Sequence, residues 1–104
     1  MEPRPSVALI DNAEARRDLL SGLLAAAGHE ITVNGPHGIA AISALAKAAV
    51  RLVFVSFEEP LPRAIQTVEE VASAAPDAVI VGFADEADTH AYRKAIAAGA
   101  RYLI

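Results

Sequence analysis

Leu52-Val53-Phe54-Val55-Ser56-Phe57-Glu58-Glu59-Pro60 is the stretch that decides the fold. Four apolar residues run without alternation and then give way to a polar turn closed by proline. A strand buried on both faces reads this way, and such strands belong to parallel sheets covered by helices. Val7-Ala8-Leu9-Ile10 and Ala78-Val79-Ile80-Val81 repeat the pattern. Ile31-Thr32-Val33 alternates, as an edge strand should, and Tyr102-Leu103-Ile104 supplies a fifth run. Helical patterns separate them. Residues 13–27 place Leu19, Leu20, Leu23, Leu24 and Ala27 on one stripe, with Asn12 as N-cap and Gly28 as C-cap. Residues 38–49 carry Ile39, Ile42 and Leu45, and residues 62–75 carry Ile65, Val68 and Val71 after a proline and before Pro76. Residues 86–98 carry Tyr92, Ala95 and Ile96 and end at Gly99. The order β-α-β-α-β-α-β-α-β with short connections and right-handed crossovers predicts an α/β fold with an open, doubly wound, five-stranded parallel sheet.

The chain has 104 residues, which is one domain, and 54% of them are apolar, which excludes intrinsic disorder. Nine basic against 13 acidic residues give a net charge of −4, so direct binding to a nucleic-acid backbone is not expected. The absence of Cys excludes disulfides, thiolate zinc sites and thiol catalysis. No apolar run is long enough to span a membrane, and Met1 to Pro5 do not form a signal peptide, so a cytoplasmic location is expected.

Ligands in doubly wound sheets lie beyond the C-terminal strand ends, which directs attention to Asp11, Asn12, Ser56, Phe57, Glu58, Phe83 and Ala84. Asp11 and Asn12 fit either a site for a hard cation or a helix start, with Asn12 capping and Asp11 favouring the positive end of the helix. Ser56 lacks the glycine elbow of a serine nucleophile and reads as a hydroxyl bonded to backbone. Glu58 and Glu59 read as a solvated turn rather than a general acid–base pair. His29, His37 and His90 show no metal-binding spacing and read as surface residues, and Arg16, Arg17 and Arg93 as solvated helix faces. Gly35 and Gly38 mark a turn. No complete catalytic set is present, so no enzymatic activity is expected.

The succession Val7 to Asn12, Ala27-Gly28-His29-Glu30-Ile31, Gly38 to Ile42, Leu52 to Pro60, Ala78 to Ala84 and Ala97-Ala98-Gly99-Ala100 resembles the receiver domain of two-component response regulators. Pro60 lies four residues after Ser56, where the family has proline four after its phosphoacceptor. The resemblance implies the flavodoxin-like, CheY-like strand order 2-1-3-4-5, with the family's fifth helix missing from this chain. It also places departures from the family's chemistry. The phosphoacceptor aspartate is replaced by Ser56, whose hydroxyl cannot form an acyl phosphate. The acidic pair is Asp11 plus Asn12, the sensing hydroxyl is Phe83, and the lysine would fall beyond Ile104. Tyr102 stands near the switch aromatic.

A degenerate, or pseudo-, receiver is therefore implied. Its vestigial acidic site would comprise Asp11, Asn12 and Glu58, its former acceptor position would be Ser56, and its switch positions Phe83 and Tyr102. No cofactor is expected, and at most a weakly held magnesium ion at Asp11. The expected function is phosphorylation-independent contact with protein partners, including homodimerisation, as the N-terminal part of a longer protein. Pilus-assembly ATPase relatives of the TadZ/CpaE type carry such domains. The alternatives are a phosphorelay receiver with an atypical acceptor such as Glu58, or a small-ligand sensor.

Overall fold

In the computed structural model, residues 6–48, 50–57, 61–84 and 89–103 are described. The elements alternate as β1 (Ser6–Ile10), α1 (Glu14–Ala26), β2 (Glu30–Gly35), α2 (Ile39–Lys47), β3 (Leu52–Ser56), α3 (Leu61–Ala74), β4 (Val79–Phe83), α4 (Thr89–Ala98) and β5 (Tyr102–Leu103). All pairings are parallel, and the strand order is β2-β1-β3-β4-β5. Four strands have five or six residues. Of the run Tyr102-Leu103-Ile104, expected as a fifth strand, Tyr102 and Leu103 form β5 against Val81 and Gly82 of β4, and Ile104 lies outside the described residues. β2 lies at the other edge and carries a bulge at Thr32, where the register with β1 shifts between Val7 and Ala8.

The path steps outward from β1 to β2 and then returns across the sheet. Right-handed crossovers therefore set α1 on one face and α2, α3 and α4 on the other. The second face holds the core: Ala8, Ile10, Val53, Val55 and Ile80 of the sheet meet Leu45 of α2, Val68 and Val71 of α3, and Ala95 of α4. The first face is covered less completely. Val7 and Leu9 are fully buried there, whereas Leu52, Phe54 and Val79 are half-buried and Val81 is buried. No residue of α1 is buried, so its leucine stripe divides. Leu20 and Leu24 are half-buried, while Leu19 and Leu23 stand 64% and 60% exposed. This corrects the expectation of one inward stripe. A single helix presents only a narrow line to a sheet, and five apolar positions are wider than that line.

Two glycines close helices by the same device. Gly28 and Gly99 have φ of +95° and +126°, a region that L residues rarely enter. After each, a pair of bonds satisfies the last turn: His29 N–H to Leu24 O with Gly28 N–H to Ala25 O, and Ala100 N–H to Ala95 O with Gly99 N–H to Ile96 O. A Cβ at Gly99 would also lie 3.2 Å from the Ala72 Cβ of α3.

The two faces should respond differently to truncation. Leu45→Ala, at 1% exposure, should lower unfolding stability by about 2–4 kcal/mol. At dilutions where the chain is monomeric, Leu19→Ala should change it by no more than about 0.5 kcal/mol. Urea unfolding midpoints of the two variants check the contrast.

Candidate functional site

β1 and β3 are neighbours in the sheet, so Asp11 and Ser56 meet at its C-terminal end. Both are buried, Asp11 with no exposed surface and Ser56 with 1%. Asp11 is held from two sides. Its Oδ1 accepts from the Ala13 N–H at 2.9 Å and from Arg16 Nη2 at 2.7 Å, and its Oδ2 accepts from Arg16 Nε at 2.5 Å. The guanidinium thus grips the carboxylate with two donors, the strongest geometry available to such a pair. Arg16 Nη2 also donates to Ser56 Oγ at 3.3 Å, and Arg17 Nη1 donates to the Asp11 carbonyl at 2.8 Å. One side chain from the first turn of α1 therefore bridges the ends of β1 and β3.

Asn12 turns away from this pair. Its Oδ1 accepts from the backbone N–H of His37 at 2.9 Å, which ties the β2–α2 loop to the β1–α1 loop. Ala13, not Asn12, caps α1, and it has no side-chain cap bond. The Asp11 carboxylate takes the Ala13 N–H instead. The His37 ring continues the tie: Nδ1 lies 2.6 Å from Thr67 Oγ1 of α3, and the Thr67 hydroxyl donates to the Arg63 carbonyl at 3.0 Å. With the hydroxyl hydrogen used on Arg63, Thr67 accepts from Nδ1–H.

Phe57 N–H donates to the Phe83 carbonyl at 2.7 Å, and Phe83 is half-buried beside Ser56 in the β3–β4 register. Tyr102 is 54% exposed on β5 and belongs to the sheet edge rather than to the Asp11–Ser56 cluster. Glu58 lies outside the described residues.

The cluster therefore gathers Asp11, Ser56 and, through its loop, Asn12, and adds four residues that sequence reasoning assigned elsewhere or passed over. Arg16 and Arg17 are bound to Asp11 rather than solvated, and His37 is half-buried in a latch rather than on the surface. Thr67 gave no signal in the sequence. Arg16 did give one. A cation in the first helical turn opposes the helix dipole, and an arginine five residues after a buried strand-end Asp has a reason to be there.

Burial pushes the Asp11 carboxyl upward, but its bonds to Arg16 and Ala13, with the nearby positive charge, outweigh this and hold it below the usual carboxylate range. Burial lowers His37, and Arg63 adds to the effect, against the Ser56 main chain and Asp11, which favour the protonated ring. A divalent cation fits these residues poorly. Both Asp11 oxygens are committed, the Asn12 oxygen is used by His37, and no group of three His, Cys, Asp or Glu able to hold a metal occurs among the described residues. An open cleft of about 500 Å³ lies between α2 and α3, lined by Gly38, Arg63, Gln66 and Thr67 among others; neither Asp11 nor Ser56 lines it. No helix among the described residues is long and apolar enough to cross a membrane.

No protein-family model matches the chain, and no curated protein matches its sequence. Solved structures do. The chemotaxis protein CheY4 of Vibrio cholerae superposes with a TM-score of 0.87 at 19% identity, over 98% of this chain and 86% of that one. This chain has the receiver fold. A response regulator from Burkholderia pseudomallei, solved with a phosphorylated aspartic acid and a calcium ion, superposes with a TM-score of 0.82 at 17% identity. That superposition covers 95% of this chain and 58% of the regulator. A pilus assembly-related protein, also from Burkholderia pseudomallei, superposes at 0.76 and 16% identity over 96% and 76% of the two chains. The receiver fold brings Asp11, Ser56 and Phe83 to the strand ends that the sequence resemblance assigned to them.

Acid should loosen the latch before it breaks the ion pair. A histidine lowered on folding stabilises the fold above the ordinary histidine value and loses that contribution as the unfolded chain takes up its proton below about pH 6.5. A lowered carboxyl acts further down, its contribution being lost as pH falls below the ordinary aspartate range. Urea midpoints should therefore drop between about pH 7.5 and about pH 5, and His37→Gln should flatten that drop while leaving the loss at lower pH.

Proposed function

We propose that this receiver-fold domain signals through protein contacts and without phosphorylation. The observation that carries the reading is Ser56: at the end of β3 the side chain is a buried hydroxyl tied to Arg16, in place of the carboxylate that forms an acyl phosphate. An ester of serine lacks the reactivity of an acyl phosphate, and its hydroxyl has no base among the groups bonded to it. Phe83 at the sensing position offers no hydroxyl to a phosphoryl group. The domain is accordingly non-enzymatic and needs no cofactor.

The surface supports the contact half of the reading. Leu19 and Leu23 stand four residues apart on α1, on the face where Leu52, Phe54 and Val79 are only half covered. Exposed apolar ridges of this kind are where soluble chains associate. On this reading the domain pairs with a second copy or with a further segment of a longer cytoplasmic protein. The likeness to a pilus assembly-related protein favours the TadZ/CpaE-type setting among the architectures open to such domains.

Incubation with acetyl phosphate and magnesium should add no phosphoryl group to the intact mass. Ser56→Asp alone should also gain little, because the pocket then holds a second carboxylate but keeps Arg16. Light scattering should report self-association that Leu19→Glu with Leu23→Glu abolishes. Stoichiometric phosphorylation of the unmodified chain would overturn the phosphorylation-independent reading. A strict monomer at high concentration would overturn homodimerisation.

A further inference from the structure

We infer that Arg16 is the resident cation of the strand-end pocket and occupies the place a divalent ion would need, so that the pocket is closed to metal by the chain itself. The assignment deepens the proposed function and rests on its reading of Ser56 as a non-acceptor.

Three observations converge on it. First, the guanidinium uses both oxygens of a carboxylate that has no exposed surface, and it is Arg16 rather than water that compensates the charge. An ionised group so placed is stable only with such a partner. Second, the same guanidinium reaches across to Ser56 Oγ, so one planar cation spans the two strands whose ends frame the pocket. A metal in this position would have to bond to the same two side chains. Third, the other oxygen in reach, Oδ1 of Asn12, is withdrawn to the His37 N–H and supports the loop latch. A hard cation needs several oxygen ligands and gives up its water reluctantly. Among the described residues one carboxylate remains here, already ion-paired. A dipositive ion approaching a fixed guanidinium a few ångströms away also meets repulsion that weakens binding by about tenfold or more even at the dielectric of water.

Arg16 differs from a metal in one consequential respect. It is covalently part of α1, so it cannot dissociate, and α1 is anchored to the ends of β1 and β3 at all ion concentrations. Arg17, bonded to the Asp11 carbonyl, fixes the same turn from the other side.

Manganese, a paramagnetic stand-in for magnesium, tests the assignment on the whole chain. Amide signals of residues 10–16 and 55–57 should show no saturable broadening in the unmodified protein. Arg16→Met should bind manganese at this position saturably, with an affinity raised by about tenfold or more, and adding Asp11→Asn should abolish the gain. Arg16→Lys, which keeps the charge and loses the fork, should still exclude the ion. Arg16→Gln serves as the neutral variant if Arg16→Met does not fold. Saturable binding at Asp11 with Arg16 in place overturns the assignment, as does a folded neutral variant that binds no better than the unmodified chain. The acetyl phosphate assay reads separately. Phosphoryl uptake with manganese still excluded removes the phosphorylation-independent reading and leaves Arg16 as the cation; manganese binding without phosphoryl uptake does the reverse.

Discussion

A carboxylate with no exposed surface must be surrounded by donors, and Asp11 meets that requirement with one arginine and one backbone N–H. The C-terminal end of the sheet is arranged around that need. Because Asp11 spends its oxygens on Arg16 and Ala13, α1 starts without a side-chain cap of its own. Because Asn12 is relieved of capping, its amide can hold the β2–α2 loop through His37. His37 then carries the connection to Thr67 on α3. Loops after β1 and β2, the end of β3 and two helices are joined by a short chain of polar contacts, which pairs the buried Asp11, Ser56 and Thr67.

The two sides of the sheet show how topology distributes burial. Three helices cover the side that holds Val53, Val55, Val68 and Val71, and these residues have essentially no exposed surface. Among the described residues one helix, α1, covers the other. Val7 and Leu9 on β1 are fully enclosed there, while Phe54 and Leu52 on β3 are not. The exposed Leu19 and Leu23 follow from the same cause, since no described helix flanks α1 to take up the edge of its apolar stripe.

Element order and the burial of β1, β3 and β4 were legible in the sequence because they rest on short-range signals, whereas the strand order came from the resemblance to receiver domains. Unbroken apolar runs, a glycine after α1 and α4 and a proline after α3 suffice for element order and burial. The site was half legible. Asp11, Ser56 and Phe83 sit where the strand ends put them, and spacing alone reaches that far. The contacts of Arg16 with Ser56 and of His37 with Thr67 join residues 40 and 30 positions apart in sequence, and no local pattern encodes such a meeting. Asn12 shows the limit most plainly. Its residue type is right for a cap, yet α1 starts one residue later, with Ala13 as its N-cap, and the Asn12 oxygen accepts from a distant loop.

A ligand shifts a conformational equilibrium only by binding one state better than another. A pocket that responds to phosphate or metal must therefore stand partly unsatisfied without them. Among the described residues this one does not: the negative charge of Asp11 is matched, the Ser56 hydroxyl has a donor, and the Asn12 oxygen has a partner, all from the chain itself. An incoming ion would gain only what it could recover after breaking contacts already made. On the proposed reading, the fold has lost its sensitivity at the strand ends through internal satisfaction rather than through collapse of the site. Apolar groups left in water lie instead on the helices, Leu19 and Leu23 on α1 and Ile39 on α2, and burial there is what a protein partner can supply.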